Sequence, residues 1–143
     1  MFKQLIGLLI LTISVVGQAR AEQGCPYPST IKYIDGHFKI ADKKVLWQSP
    51  KVETSDFIDL FVGAIFMPGK GDERENGYMD KCLYRTGSGQ LAALRPVTGD
   101  LATNMSLTST LYWQLGTDSF NQPVYLCRDS QPDNCAFRVN SQL

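Results

Sequence analysis

Apolar and polar positions alternate in short runs along most of the chain, and turn-forming residues interrupt them roughly every 8 to 20 positions. That pattern predicts an antiparallel β fold rather than a helical one. "STIKYI" (Ser29 to Ile34), "HFKIA" (His37 to Ala41) and "KVLWQ" (Lys44 to Gln48) are β-favourable runs separated by Asp35-Gly36 and Asp42-Lys43. Asp-Gly between two such runs predicts a hairpin, because a type I′ turn needs positive φ at both central residues. Residues 57 to 67, "FIDLFVGAIFM", are apolar on both alternating faces apart from Asp59. They predict a central strand buried on both sides. A helical turn over Ser55 to Phe61, capped by Thr54 or Ser55, is the competing reading of its start. "YMDKCLYR" (78–85), "QLAALRPV" (90–97), "SLTSTLYWQL" (106–115), "PVYLCR" (123–128) and "CAFRVN" (135–140) supply further strands. Thr86-Gly87-Ser88-Gly89 joins the first two of these, and "GDLATNMSL" from Gly99 reads as loop. The fold class expected is all-β, an antiparallel β-sandwich or small barrel of unknown topology.

The first 21 residues depart from this pattern. Lys3 precedes the apolar run Leu5 to Val16, and Ala19-Arg20-Ala21 has the small-x-small form that signal peptidase accepts. Residues 1–21 are therefore expected to be a signal peptide and 22–143 a single β domain, secreted or periplasmic, with no membrane attachment after cleavage. The apolar run is shorter than the ~20 residues that span hydrocarbon, which disfavours an uncleaved anchor. Glu22 stands where a lipoprotein signal wants an aliphatic residue, so Cys25 is not expected to be lipidated. Loss of Lys3 and Arg20 with the leader leaves 12 basic against 14 acidic residues, a net charge near −2. That balance argues against nucleic acid as a partner.

Export changes the meaning of the four cysteines, Cys25, Cys82, Cys127 and Cys135, which should oxidise to two disulfides. Of three pairings we expect Cys127 with Cys135, since "CRDSQPDNC" can turn back on itself, and Cys25 with Cys82 by elimination. No C-x-x-C occurs and His37 is the single histidine, so neither zinc nor any other metal or cofactor is expected.

The stretch "GAIFMPGKGDERENG" (63–77) carries the most conspicuous candidate chemistry. A phosphate-binding loop needs G-x-x-x-x-G-K-[ST], but here Gly63 lies one residue too far from Gly69, Gly71 replaces the hydroxyl residue, and Pro68 removes a backbone donor. An EF-type calcium loop counted from Asp72 would need glutamate where Leu83 stands. The stretch reads instead as a charged loop closed by Asn76-Gly77, and long loops on sheets often carry recognition. Lys70, Glu73, Arg74 and Glu75 are its candidate binding residues.

Enzyme chemistry has fewer supports. His37 alone would have to serve any triad and is expected to be an exposed residue beside a turn; no G-x-S-x-G, H-E-x-x-H or S-x-x-K string occurs. Asp56, Asp59, Glu73, Glu75 and Asp80 could in principle supply a carboxylate pair for glycan hydrolysis. Among the aromatic residues, Trp47, Phe61, Phe66 and Phe137 are expected in the core. Tyr112 and Trp113 point to opposite faces of a strand, so one of them should reach solvent and join a protein or glycan contact. Asn104-Met105-Ser106 matches a glycosylation sequon.

"CPYPSTI" (25–31), the tryptophan of "LWQS", the strand "VGAIF" and the C-x-Y of Cys82-Leu83-Tyr84 resemble a family of small exported bacterial proteins of unknown function, over roughly residues 25 to 95. The resemblance implies export and a disulfide-linked β domain and supplies no catalytic residue. The function expected is binding rather than catalysis: a protein-recognition or inhibitor-type module with an unidentified protein or glycan partner. A carboxylate-dependent enzyme acting on glycans and a passive envelope component are the alternatives.

Overall fold

A computed structural model describes residues 22–41, 45–97, 105–109 and 111–140. Residues 1–21, expected as a signal peptide, and Asp42-Lys43, expected as a turn, lie outside the described residues, as do residues 98–104 with Asn104 of the sequon. The Asp35-Gly36 hairpin forms between β1 (Lys32–Ile34) and β2 (His37–Ala41). Asp35 has φ 52° and Gly36 φ 83°, the two positive values that a type I′ turn requires. Pro28 opens a 3-10 turn over Pro28–Thr30, where strand was expected, and the Thr30 hydroxyl donates to the Tyr27 carbonyl.

β3 (Leu46–Gln48) pairs with β2, and then with β6 (Leu91–Val97) rather than with its successor in sequence. β4 (Ile58–Met67), β5 (Tyr78–Thr86) and β6 form a meander. β7 (Met105–Leu107) leaves the main sheet, while β8 (Trp113–Thr117) and β9 (Pro123–Cys127) form a hairpin that docks on the free edge of β4. The eight-stranded sheet is antiparallel throughout, in the order β1-β2-β3-β6-β5-β4-β9-β8. β7 pairs instead with β10 (Phe137–Val139) in a two-stranded ribbon.

The run expected as one strand over 106–115 is thus two strands serving two sheets. The chain must leave the ribbon to reach the sheet edge: β7 ends at Leu107 and β8 begins at Trp113. No helical turn forms at 55–61: Asp56 Oδ1 accepts from the Phe57 N–H, and β4 begins at Ile58.

One core joins both halves of the sheet to the ribbon. Phe38 and Trp47 from one half, Phe61, Phe66, Tyr84 and Trp113 from the other, and Met105 and Phe137 from the ribbon belong to a single buried cluster. Trp47 packs edge-on against Phe137, and Phe66 against Trp113. Trp47, Phe61, Phe66 and Phe137 are core residues as expected, each contributing about 1.5–3 kcal/mol through burial. The other face of β4 stays partly open, with Leu60 57% exposed, so burial on both sides is not met. Two bulges in β4 break its alternation near Asp59 and Val62. At the second, a Cβ on Gly63 would come within 2.5 Å of the Cys127 carbonyl oxygen.

Cys25 bonds Cys82 and Cys127 bonds Cys135, the favoured pairing. The first ties the N-terminal segment to β5. Gln23 continues that tie by exchanging backbone hydrogen bonds with Phe137, which places it along the ribbon. Among the described residues no helix is long and apolar enough to cross a membrane.

Candidate functional site

Loop 68–77 connects β4 to β5 and is held by one bond within itself and by bonds to β7 and β9. The Gly69 N–H donates to the Glu73 carbonyl, and the Leu107 N–H donates to the Arg74 carbonyl. Gly77 and Met105 exchange backbone bonds, and the Tyr125 hydroxyl donates to the Asp72 carbonyl. Only glycine fits at 77, because a Cβ there would lie 2.2 Å from the Met67 carbonyl oxygen and 2.6 Å from the Phe66 ring. Asn76 supplies the positive φ, 59°, that turns the chain into this contact.

The candidate residues separate by role. Arg74 lies half-buried with its guanidinium carbon 4.6 Å from the centre of the Tyr125 ring, a cation–π contact that fastens the loop. Lys70, Glu73 and Glu75 are exposed, and among the described residues none of them has an ion pair. Trp113 is 1% exposed, its indole N–H donating to the Ala136 carbonyl, so it supports the core and leaves the contact surface. Tyr112 is the member of the pair that reaches solvent, at 40%. The register Leu115–Tyr125–Phe66–Met79 across β8, β9, β4 and β5 puts Tyr112 away from the loop and brings the β8–β9 turn, residues 118–122, to the loop's end of the sheet. Phe120 sits on that turn and is 82% exposed. Its signal in the sequence was an aromatic inside a turn-forming "TDSFNQ", closed by Asp118 bonds to the Phe120 and Gln122 N–H groups.

A polar cleft of about 440 Å³ opens beside the loop, lined by Glu75, Asn76, Ser106, Leu107, Thr108, Arg138 and Asn140. The ribbon builds its floor by simple alternation. Met105 and Phe137 face the core, while Ser106 and Arg138, paired across the strands, face the cleft with Thr108 and Asn140 two residues on. Asn140 Nδ2 donates to Ser106 Oγ at 2.9 Å. Thr108 Oγ1 and Arg138 Nε are buried without a hydrogen-bond partner. Sequence reading missed Ser106, Thr108, Arg138 and Asn140, although "MSLT" and "FRVN" display the alternation that sets them side by side. A second hollow, about 220 Å³ and bordered by Tyr27, Ile40 and Trp47, is more apolar.

The carboxylates do not assemble as a pair there: Glu75 is the one acid among the lining residues. Asp56 sits at the β5–β6 turn, where the Ser88 hydroxyl and then the Phe57 N–H bond its oxygens and hold its pKa below the usual carboxylate value. Asp80 pairs with Lys81 at 3.7 Å. Burial raises the Tyr84 phenol far above its ordinary pKa, and its hydroxyl donates to the Pro26 carbonyl. His37 is half-buried rather than exposed, because the strand after the turn runs beside Ser49 and Nδ1 donates to the Ser49 carbonyl at 2.8 Å. Among the described residues no group of three His, Cys, Asp or Glu side chains could hold a metal ion.

No curated protein and no solved structure matches the chain. One family does, over residues 20–138, a span that takes in both disulfides, loop 68–77 and all but the last residue of the cleft. The chain belongs to that family, described as protein of unknown function (DUF3757).

Proposed function

We propose that this protein is an extracytoplasmic recognition module whose contact surface is loop 68–77 together with the polar cleft beside it. The observation that carries the reading is a fixed backbone under exposed charges: one bond within the loop and bonds to β7 and β9 hold it, while Lys70, Glu73 and Glu75 remain exposed without ion pairs among the described residues. A loop whose conformation is set before binding loses less entropy on contact, which is how a small surface reaches useful affinity. Two disulfides favour an oxidising compartment and hence an exported protein. The glycan-hydrolase alternative draws no support from a cleft that brings a single carboxylate to its wall.

Immobilised protein is to be exposed to envelope and host extracts beside a Lys70→Ala, Glu73→Ala, Glu75→Ala variant. Arg74 is left intact because it fastens the loop. The reading expects a captured species that the variant fails to retain, with the melting temperature of the variant within about 2 °C of the parent, as surface changes usually allow. Equal capture by both proteins contradicts it.

A further inference from the structure

Arg138 projects from β10 into the cleft without an ion pair or hydrogen bond among the described residues, and its Nε is buried. A guanidinium edge removed from water without a partner costs more than a neutral donor left unmade. Native proteins keep few such groups, and one that lines an open cleft calls for an acceptor supplied from outside. The fork of a guanidinium matches a carboxylate. Thr108 Oγ1, also buried and unpartnered, offers a second bond on the same wall. Glu75 faces the same cleft yet lies beyond 4.0 Å from the Arg138 nitrogens, since no ion pair forms between them. The cleft therefore presents one cation and one anion with space between them. A doubly charged phosphate would be repelled by Glu75, whereas a group with an ammonium beside its carboxylate satisfies both walls.

We infer that this cleft binds an α-amino-carboxylate: Arg138 and Thr108 take the carboxylate, Glu75 takes the ammonium, and Asn140 holds Ser106 at the floor. The inference rests on the recognition reading above and assigns its cleft a ligand class. A volume of about 440 Å³ exceeds a single small amino acid, so the group belongs to a ligand with a further portion that extends toward solvent.

The test is titration of the intact protein with L-alanine, D-alanine, propionate, ethylamine and inorganic phosphate, followed by amide chemical shifts. The two alanine enantiomers are expected to move the Ser106, Thr108 and Arg138 signals at lower concentration than propionate or ethylamine. Arg138→Gln should weaken alanine binding about tenfold or more, as truncation of a charged partner usually does. Glu75→Gln should erase the preference for alanine over propionate, and Thr108→Val gives a readout should the Arg138 variant fail to fold. Binding of phosphate in preference to alanine, or alanine binding unchanged in both Arg138→Gln and Thr108→Val, overturns the assignment. Partner capture that persists while every small probe fails overturns the ligand class and leaves the recognition reading standing; failure of both removes both.

Discussion

Arg74 and Glu75 are neighbours in one charged run and do different work. Arg74 spends its charge on the Tyr125 ring, and Glu75 faces the cleft. Composition cannot separate such neighbours, because the distinction depends on which way each points once β9 lies beneath the loop. A single buried residue tests the fastening: Tyr125→Phe removes the hydroxyl bond to Asp72 and should cost about 1 kcal/mol in urea unfolding. An unchanged midpoint would mean that the bond contributes nothing. Asp56 gives a residue-scale prediction in pH. Its folded-state pKa is depressed, so its contribution is present above the unfolded value of ~3.9 and is lost as pH falls through the folded value. As pH falls below about 5 the parent should lose more stability than Asp56→Asn, and parallel curves would refute the assignment. The sequence revealed none of this, since Ser88 lies 32 residues away from Asp56.

The ribbon shows what alternation reveals and what it hides at the scale of elements. "CAFRVN" and the start of "SLTSTLYWQL" announced strands, and β10 and β7 follow. Their partners could not be read, because a run that alternates fits any sheet with one buried face. The same limit hid the break between β7 and β8, where apolar and β-branched residues continue although the chain changes sheets. The hairpin at Asp35-Gly36 was legible because its turn chemistry is local, as was the Cys127–Cys135 closure. The two faces of the ribbon predict opposite responses. Phe137→Ala should cost about 3–5 kcal/mol, since Phe137 touches Trp47 in the core. Ser106→Ala, on the cleft face, should stay within about 1 kcal/mol even with its Asn140 bond removed. Similar losses from both would contradict the assignment of faces.

Across the whole molecule, the N-terminal segment, the ribbon and the loop form one connected support. Cys25 bonds Cys82 in β5, Gln23 pairs with β10, β10 pairs with β7, and Met105 of β7 pairs with Gly77. Fold class and disulfide pairing followed from strand pattern and turn chemistry; this closed circuit did not, because each link joins segments far apart in sequence. The disulfides differ accordingly. Chain entropy assigns about 4 kcal/mol to the bond of sequence separation 57 and about 2.5 kcal/mol to that of separation 8. Replacing Cys25 and Cys82 with alanine should therefore lower the denaturation midpoint further than replacing Cys127 and Cys135, and the reverse order would contradict the circuit. Its functional consequence is the fixed loop on which the recognition proposal depends. Native-state hydrogen exchange of the Gly69, Gly77, Met105 and Leu107 amides measures that fixity most directly. Slow exchange is expected at all four, with protection at Gly69 falling in Tyr125→Phe; exchange at unfolded-chain rates in the parent protein would contradict a fixed loop.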